Sequence, residues 1–147
     1  MICGVDANVL IYSAIESMPE HPKVHSFFER RVLRGELTCA VTFPVLLEFI
    51  HVTTDARRFK APLTLEESLN FVEQYWNASD WRRLVPQPST GTRVLDLLRR
   101  YCLGRKRLLD THLAATLLDN GVTTLITCDS KDFRVFEELS LLDPLRN

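Results

Sequence analysis

Met1-Ile2-Cys3-Gly4-Val5-Asp6-Ala7-Asn8-Val9-Leu10-Ile11-Tyr12 holds two patterns back to back. Met1 to Val5 is an apolar run of strand length that ends at an aspartate, and Asn8 to Ile15 stays apolar long enough for the first turns of a helix. The pairing recurs downstream. Leu37 to Val41 reads as a second strand, followed by Pro44, tolerated in a first helical turn, and by Val45-Leu46-Leu47-Glu48-Phe49-Ile50. Arg83-Leu84-Val85, closed by Pro86 and Pro88, reads as a short third strand. Val122 to Thr127 is a fourth, rich in β-branched residues, with Asp129 just beyond it, and Leu139 to Leu142 is the last.

Helical patterns fill the intervals. Pro22 to Leu33 carries Val24, Phe27, Phe28 and Val32 at helical spacing and stops at Gly35. Thr64-Leu65-Glu66-Glu67 is a capping-box pattern that opens a helix to about Trp76. Thr92 to Cys102 and Leu108 to Asn120 are helical, the second stopped by Asn120-Gly121, and a short helix is expected over Asp132 to Glu138. Strands alternating with helices imply right-handed crossovers and a mainly parallel sheet between helix layers, an α/β sandwich. Such sheets bind ligands outside the carboxyl ends of their strands, so the residues just after each strand matter most.

The 147 residues are 46% hydrophobic and 25% charged, the balance of a folded globular chain rather than a disordered or disulfide-stapled one. No repeat, low-complexity segment or linker divides residues 1–147, so one domain is expected. Eighteen basic against nineteen acidic side chains give a net charge of -1, so any nucleic-acid-binding surface must be local. Cys3, Cys39, Cys102 and Cys128 form no Cys-x-x-Cys pair, and three of them lie in apolar runs, as small hydrophobes of a reducing compartment do. No apolar run approaches the roughly 18 residues of a membrane span, and no basic segment precedes an apolar one at the N-terminus. Cytoplasm is the expected location, without membrane attachment.

Asp6, Glu48, Asp110 and Asp129 each stand where a strand ends or where the following helix presents a face. Val5-Asp6, Leu47-Glu48-Phe49 and Leu109-Asp110 set three of them beside apolar neighbours. An ionised carboxylate next to a core is costly unless compensated, and several at one sheet end raise one another's pKa. A divalent cation resolves that conflict, and Mg²⁺ and Mn²⁺ prefer carboxylate and water oxygens. Each acid has a plainer reading too: Asp6 capping the segment from Ala7, Asp129 in an Asx-turn with Lys131, Asp110 capping its helix, Glu48 pairing with an arginine. Asp132 is a fifth acid, read as a helix cap before a ligand. The recurrence of the four at equivalent places favours a shared site.

At these residues the chain resembles the PIN-domain ribonucleases. Val5-Asp6-Ala7-Asn8-Val9-Leu10-Ile11-Tyr12 resembles the opening motif of that family, and Leu46-Leu47-Glu48-Phe49 its second acidic motif. Leu109-Asp110-Thr111-His112-Leu113-Ala114-Ala115 and Thr127-Cys128-Asp129-Ser130-Lys131-Asp132-Phe133 resemble the third and fourth. The likeness runs from Gly4 to about Phe133, and size and motif order are similar to VapC-type toxins. It implies a PIN-like three-layer α/β/α sandwich and a metal-dependent endoribonuclease, the toxin of a VapBC-type toxin–antitoxin pair. Asp6, Glu48, Asp110 and Asp129 would hold one or two Mg²⁺ or Mn²⁺ ions, while Asn8, Thr127 and Asp132 orient carboxylates or water. RNA as substrate, a VapB-type antitoxin and a homodimer are likewise implied. Two positions depart from the pattern: Ala7 stands where many relatives carry Thr or Ser, and His112 where many carry a small or apolar residue.

Arg99, Arg100, Arg105, Lys106 and Arg107 form an acid-free basic run entering the helix of Asp110, and Arg57, Arg58 and Lys60 follow the helix of Glu48. Arg99 and Arg100 suit a helix C-terminus through its dipole. Arg105, Lys106 and Arg107 precede a helix instead, so RNA phosphate contact is the expectation for them. An antitoxin groove lined by Val9, Leu10, Ile15 and the Phe43 to Ile50 stretch competes with simple core packing of the same residues. Trp76 and Trp81 likewise suit an interface or the core. No Gly-rich phosphate loop, Ser/His/Asp order or nucleophilic Cys competes for the chemistry, so hydrolysis without a covalent intermediate is expected. Receiver-like and haloacid-dehalogenase-like phosphoryl-transfer domains fit poorly, because Asn8 rather than Asp or Thr stands two residues after Asp6. The other alternative is a catalytically silent PIN domain that binds RNA or protein.

Overall fold

A computed structural model describes residues 1–146. Among them a five-stranded, wholly parallel sheet runs β3-β2-β1-β4-β5. The strands are β1 (Ile2–Val5), β2 (Thr38–Thr42), β3 (Arg82–Leu84), β4 (Thr124–Ile126) and β5 (Ser140–Leu142). The helices are α1 (Ala7–Ala14), α2 (His21–Phe27), α3 (Phe43–Thr53), α4 (Leu65–Asn77), α5 (Thr90–Arg100), α6 (Leu108–Asp119) and α7 (Ser130–Phe133). β1 is central, paired in register with β2 through Cys3 and Cys39 and with β4 through Gly4 and Leu125. Strand order therefore reverses at β1, and the crevice between the ends of β1 and β4 is the topological switch point at which such sheets bind ligands.

Burial on both faces explains the near-continuous apolar strands: Val5, Cys39, Val41, Leu125 and Ile126 are fully buried. Gly4 is required where β1 meets α6, since a Cβ there would lie 2.5 Å from Leu117 Cδ2. The capping box of α4 forms in full, Thr64 Oγ1 accepting from the Glu67 N–H and Glu67 Oε2 from the Thr64 N–H. All four cysteines are free thiols; Cys3 and Cys39 are buried, Cys128 is half-buried and Cys102 is exposed.

Several local expectations shift. The strand expected at Arg83 to Val85 sits one residue earlier, because Ala40, Val41 and Thr42 of β2 pair with Arg82, Arg83 and Leu84. The helix expected through Leu33 is α-helical only to Phe27 and widens to a π-turn over Phe28–Val32, before Gly35 at φ +78°. The helix expected over Asp132 to Glu138 is instead α7, with Asp129 at its N-cap and Asp132 inside it, so Asp132 is not the cap. Arg107 stands at the N-cap of α6, so Asp110 lies within the first turn and is not a cap either. Val9 and Leu10 are fully buried and belong to the core rather than to a partner groove, whereas Phe43 and Leu47 reach the surface. Trp76 packs edge-on against Phe43 and Trp81 stacks on Tyr75, with ring centroids 5.2 and 5.5 Å apart.

Candidate active site

Asp6 follows β1 directly, and its backbone N–H donates to the Ile126 carbonyl at 3.0 Å, joining the ends of β1 and β4. Its side chain is divided between two tasks. Oδ1 accepts the Ala7 N–H at 2.8 Å and caps α1, while Oδ2 accepts from the Thr127 hydroxyl at 2.7 Å and the Asn8 amide at 2.9 Å. Thr127 Oγ1 in turn accepts the Asp129 N–H at 3.0 Å, and Asn8 Oδ1 accepts the Cys128 N–H at 3.1 Å. The loop after β4 is thereby tied to Asp6 through two polar side chains. Burial pushes the Asp6 carboxyl up to about 7; the Thr127 and Ala7 hydrogen bonds oppose that, and the charges of Glu48 and Asp110 add to it.

The other acids arrive from separate elements. Glu48 lies mid-α3, and desolvation of its carboxyl end at the cavity wall raises its pKa, as does Asp110, with Arg58 and His51 opposing. Asp110 is half-buried in the first turn of α6 and is raised by burial, then held back by Arg107. Asp129 is exposed and is raised by desolvation and by neighbouring Asp132. Asp6, Glu48, Asp110, Asp129 and Asp132 all line one cavity of about 490 Å³. The structure thus brings Asp6, Glu48, Asp110 and Asp129 together with Asp132.

The basic run divides. Arg105 and Lys106 are exposed on the one-turn 3-10 helix Arg105–Arg107 that precedes α6. Arg107 turns inward: Nε donates to Asp110 Oδ2 at 3.2 Å, Nη2 donates to the Asp132 carbonyl, and Nη1 stands 4.0 Å from Asp132 Oδ1. Arg57 forms a bidentate pair with Asp55, and Arg58, whose Nε stands 3.7 Å from Asp55 Oδ2, also lines the cavity. Arg99 lies 3.9 Å from Asp96, and Arg100 lies over the Tyr101 ring. His112 is half-buried and lines a narrow cleft of about 20 Å³ behind Glu48 and Asp110, beside Thr42 and Pro44. Ala7 is buried and contributes its N–H to Asp6.

Sequence reasoning missed the apolar part of the cavity, made by Ile11, Tyr12, Met18, Val52, Phe59 and Phe133. The spacing of four residues from Asn8 to Tyr12 and from Glu48 to Val52 carries part of that signal, because such pairs share a helix face. Nothing local marks Met18 or Phe59, which reach the cavity from loops.

The donor set suits a hard divalent cation: a buried carboxylate acted on by like charges, with carboxylate oxygens around one opening. Among the described residues no three His, Cys, Asp or Glu side chains already form a group able to hold an ion. Among the described residues no helix is long and apolar enough to cross a membrane.

The PIN domain family model matches residues 4–139. A protein named Ribonuclease VapC33 of Mycobacterium tuberculosis (strain ATCC 25618 / H37Rv) is 28% identical over 141 residues, 96% of each chain. Ribonuclease VapC48 of the same strain is 29% identical over 143 residues, covering 95% of this chain and 94% of that protein. Among solved structures, VapBC2 from Rickettsia felis, bound to a DNA fragment from its promoter, superposes with a TM-score of 0.69 at 17% identity, over 97% of this chain and 98% of that one.

Proposed function

Because this chain belongs to the PIN-domain family, we propose that it is a metal-dependent endoribonuclease hydrolysing RNA phosphodiester bonds, and the toxin of a VapBC-type pair. The observation that carries this reading is the convergence of five carboxylates at the switch point between β1 and β4. The names of the relatives as VapC ribonucleases, and a VapBC assembly among the structural neighbours, support it. One domain over residues 1–147, a cytoplasmic location, a homodimer and a VapB-type antitoxin complete the reading.

Asp6, Glu48, Asp110 and Asp129 would hold one or two Mg²⁺ or Mn²⁺ ions. When bound, such an ion supplies Lewis acidity at the scissile phosphate and eases deprotonation of the attacking water. The protein's own part is positional. Thr127 and Asn8 fix Asp6 Oδ2 from two sides. Burial, with Glu48 and Asp110 adding to it, raises the Asp6 carboxyl to about 7, a cost that a bound cation would offset. Arg107 sets the Asp110 carboxylate, and exposed Arg105 and Lys106 take backbone phosphates along the approach.

Cleavage of a structured RNA mixture with Mg²⁺, Mn²⁺ or EDTA, comparing the natural chain with Asp110→Asn, tests the reading. Metal-dependent cleavage that falls by roughly two orders of magnitude or more in a folded Asp110→Asn variant is the expected result. A silent RNA-binding PIN module is the second reading, favoured by the ion pair that already occupies Asp110. RNA binding without cleavage by either protein would establish that reading instead.

A further inference from the structure

The cavity is acidic only in part. α1 and α3 each follow one of two neighbouring parallel strands, so both leave the sheet at its carboxyl end. Each presents its polar site residue first and an apolar one a turn later. On α1, Asn8 is followed by Ile11 and Tyr12; on α3, Glu48 is followed by Val52. Four residues advance a helix by about 6 Å. Met18, from the loop after α1, and Phe59, from the loop after α3, extend the same apolar surface, and Arg58, exposed and in a 3.7 Å ion pair with Asp55, places a cation beside it. Tyr12, Met18, Val52 and Phe59 are half-buried, so they form a wall open to a ligand rather than a sealed core.

Resting on the ribonuclease reading above, we infer that this wall is a nucleobase subsite. It receives one unpaired base next to the phosphate held at the carboxylates, with the rings of Tyr12 and Phe59 as the stacking surfaces and Arg58 against the adjoining phosphate. Three observations select this occupant. The wall is continuous with the acidic site in one cavity of about 490 Å³, within the roughly 300–1,000 Å³ of small-ligand sites. It combines aromatic side chains with a cation, the pairing that takes bases and phosphates of single strands. It lies a helical turn from the carboxylates, within reach of the base of a nucleotide whose phosphate is held there. Recognition of RNA by splayed bases on aromatic side chains is general for single-stranded loops. The subsite therefore imposes a base preference at one position beside the cut.

Two measurements test this. Cut sites in a random RNA pool are mapped by sequencing for the natural chain, Phe59→Ala and Phe59→Tyr. Separately, binding of single-stranded RNA carrying one 2-aminopurine is followed by fluorescence in the Asp110→Asn background, where cleavage does not interfere. Thermal melting checks that each variant is folded. Quenching of the 2-aminopurine, binding weakened about ten-fold by Phe59→Ala and restored by Phe59→Tyr, and a base preference that flattens in Phe59→Ala alone are the expected results. An unquenched base, or RNA affinity unchanged in folded Phe59→Ala, overturns the subsite and assigns the wall to a protein partner. The binding result holds whether or not the natural chain cleaves, so loss of the nuclease reading and loss of the subsite are seen separately.

Discussion

Thr127 is the residue on which the site's geometry turns. Its hydroxyl donates to Asp6 Oδ2 and accepts from the Asp129 N–H, so one oxygen couples two of the acids. Thr127→Val keeps the shape of a fully buried side chain and removes both hydrogen bonds. Loss of such an orienting partner typically weakens metal binding or activity by roughly 10–100-fold. Mn²⁺ titration by calorimetry and RNA cleavage should both show that loss, with Thr127→Ser recovering most of it. Unchanged Mn²⁺ affinity would remove Thr127 from the site. The same residue shows the reach of sequence reading: its place at the end of an apolar, β-branched run was legible, but its partner lies 121 residues away. Arg107 is the converse case. A basic run before a helix reads as phosphate-binding, yet the chain turn of Arg105–Arg107 sends its last guanidinium inward to Asp110 and Asp132.

At the scale of elements, the contact between β1 and α6 fixes where the acids meet, because Asp6 ends the strand and Asp110 begins the helix. Gly4 lets the two approach, and the fully buried Leu117 has little room to yield. Gly4→Ala should cost about 1–3 kcal/mol by overpacking, lowering the melting temperature by about 2–4 °C per kcal/mol for a chain of this size. Calorimetry checks this, and a melting temperature equal to that of the natural chain would mean that Leu117 repacks freely. Element existence was legible because strand and helix periods differ, and capping signals such as Thr64 to Glu67 act within one turn. Element ends were less so. Pairing of β3 with β2 moved the third strand by one residue, and packing of α7 shortened the last helix.

Over the whole molecule, the raised carboxylates govern the response to pH. Asp6 keeps its proton to about pH 7 when folded but ionises near its ordinary 3.8 when unfolded. The folded chain therefore binds more protons across that interval, and stability present at about pH 4 is lost as pH rises toward 7. Glu48, Asp110 and Asp129 shift in the same direction. Asp55 and Asp119 shift the other way, so their contribution fades only in acid, as pH falls through their lowered values. In EDTA the melting temperature should fall between pH 5 and 8, and Asp6→Asn should flatten that fall. Mn²⁺, which displaces protons, should stabilise more at pH 8 than at pH 5; equal stabilisation would count against carboxylate ligation. RNA binding should also weaken with salt despite the net charge of -1. Replacing Arg105 or Lys106 by Gln should each reduce the log–log salt slope by about 0.7, and an unchanged slope would exclude them from phosphate contact.

The sequence by itself determined the α/β alternation, the parallel sheet, and the acids just after β1 and β4 or on the helices α3 and α6. Each of those follows from local periodicity, from the rule that ligand sites lie beyond strand carboxyl ends, and from the motifs that carry Glu48 and Asp110. Only the tertiary structure decided which side chains share the cavity: Asp132 joining the four acids, Arg107 bound among them, and Met18 and Phe59 completing an apolar wall from two loops. The physical reason is that side-chain direction and desolvation are set by contacts between distant parts of the chain. Burial pushes the Asp6 carboxyl up to about 7, with Glu48 and Asp110 adding to the rise and Thr127 opposing it, and none of these three residues is its neighbour in sequence.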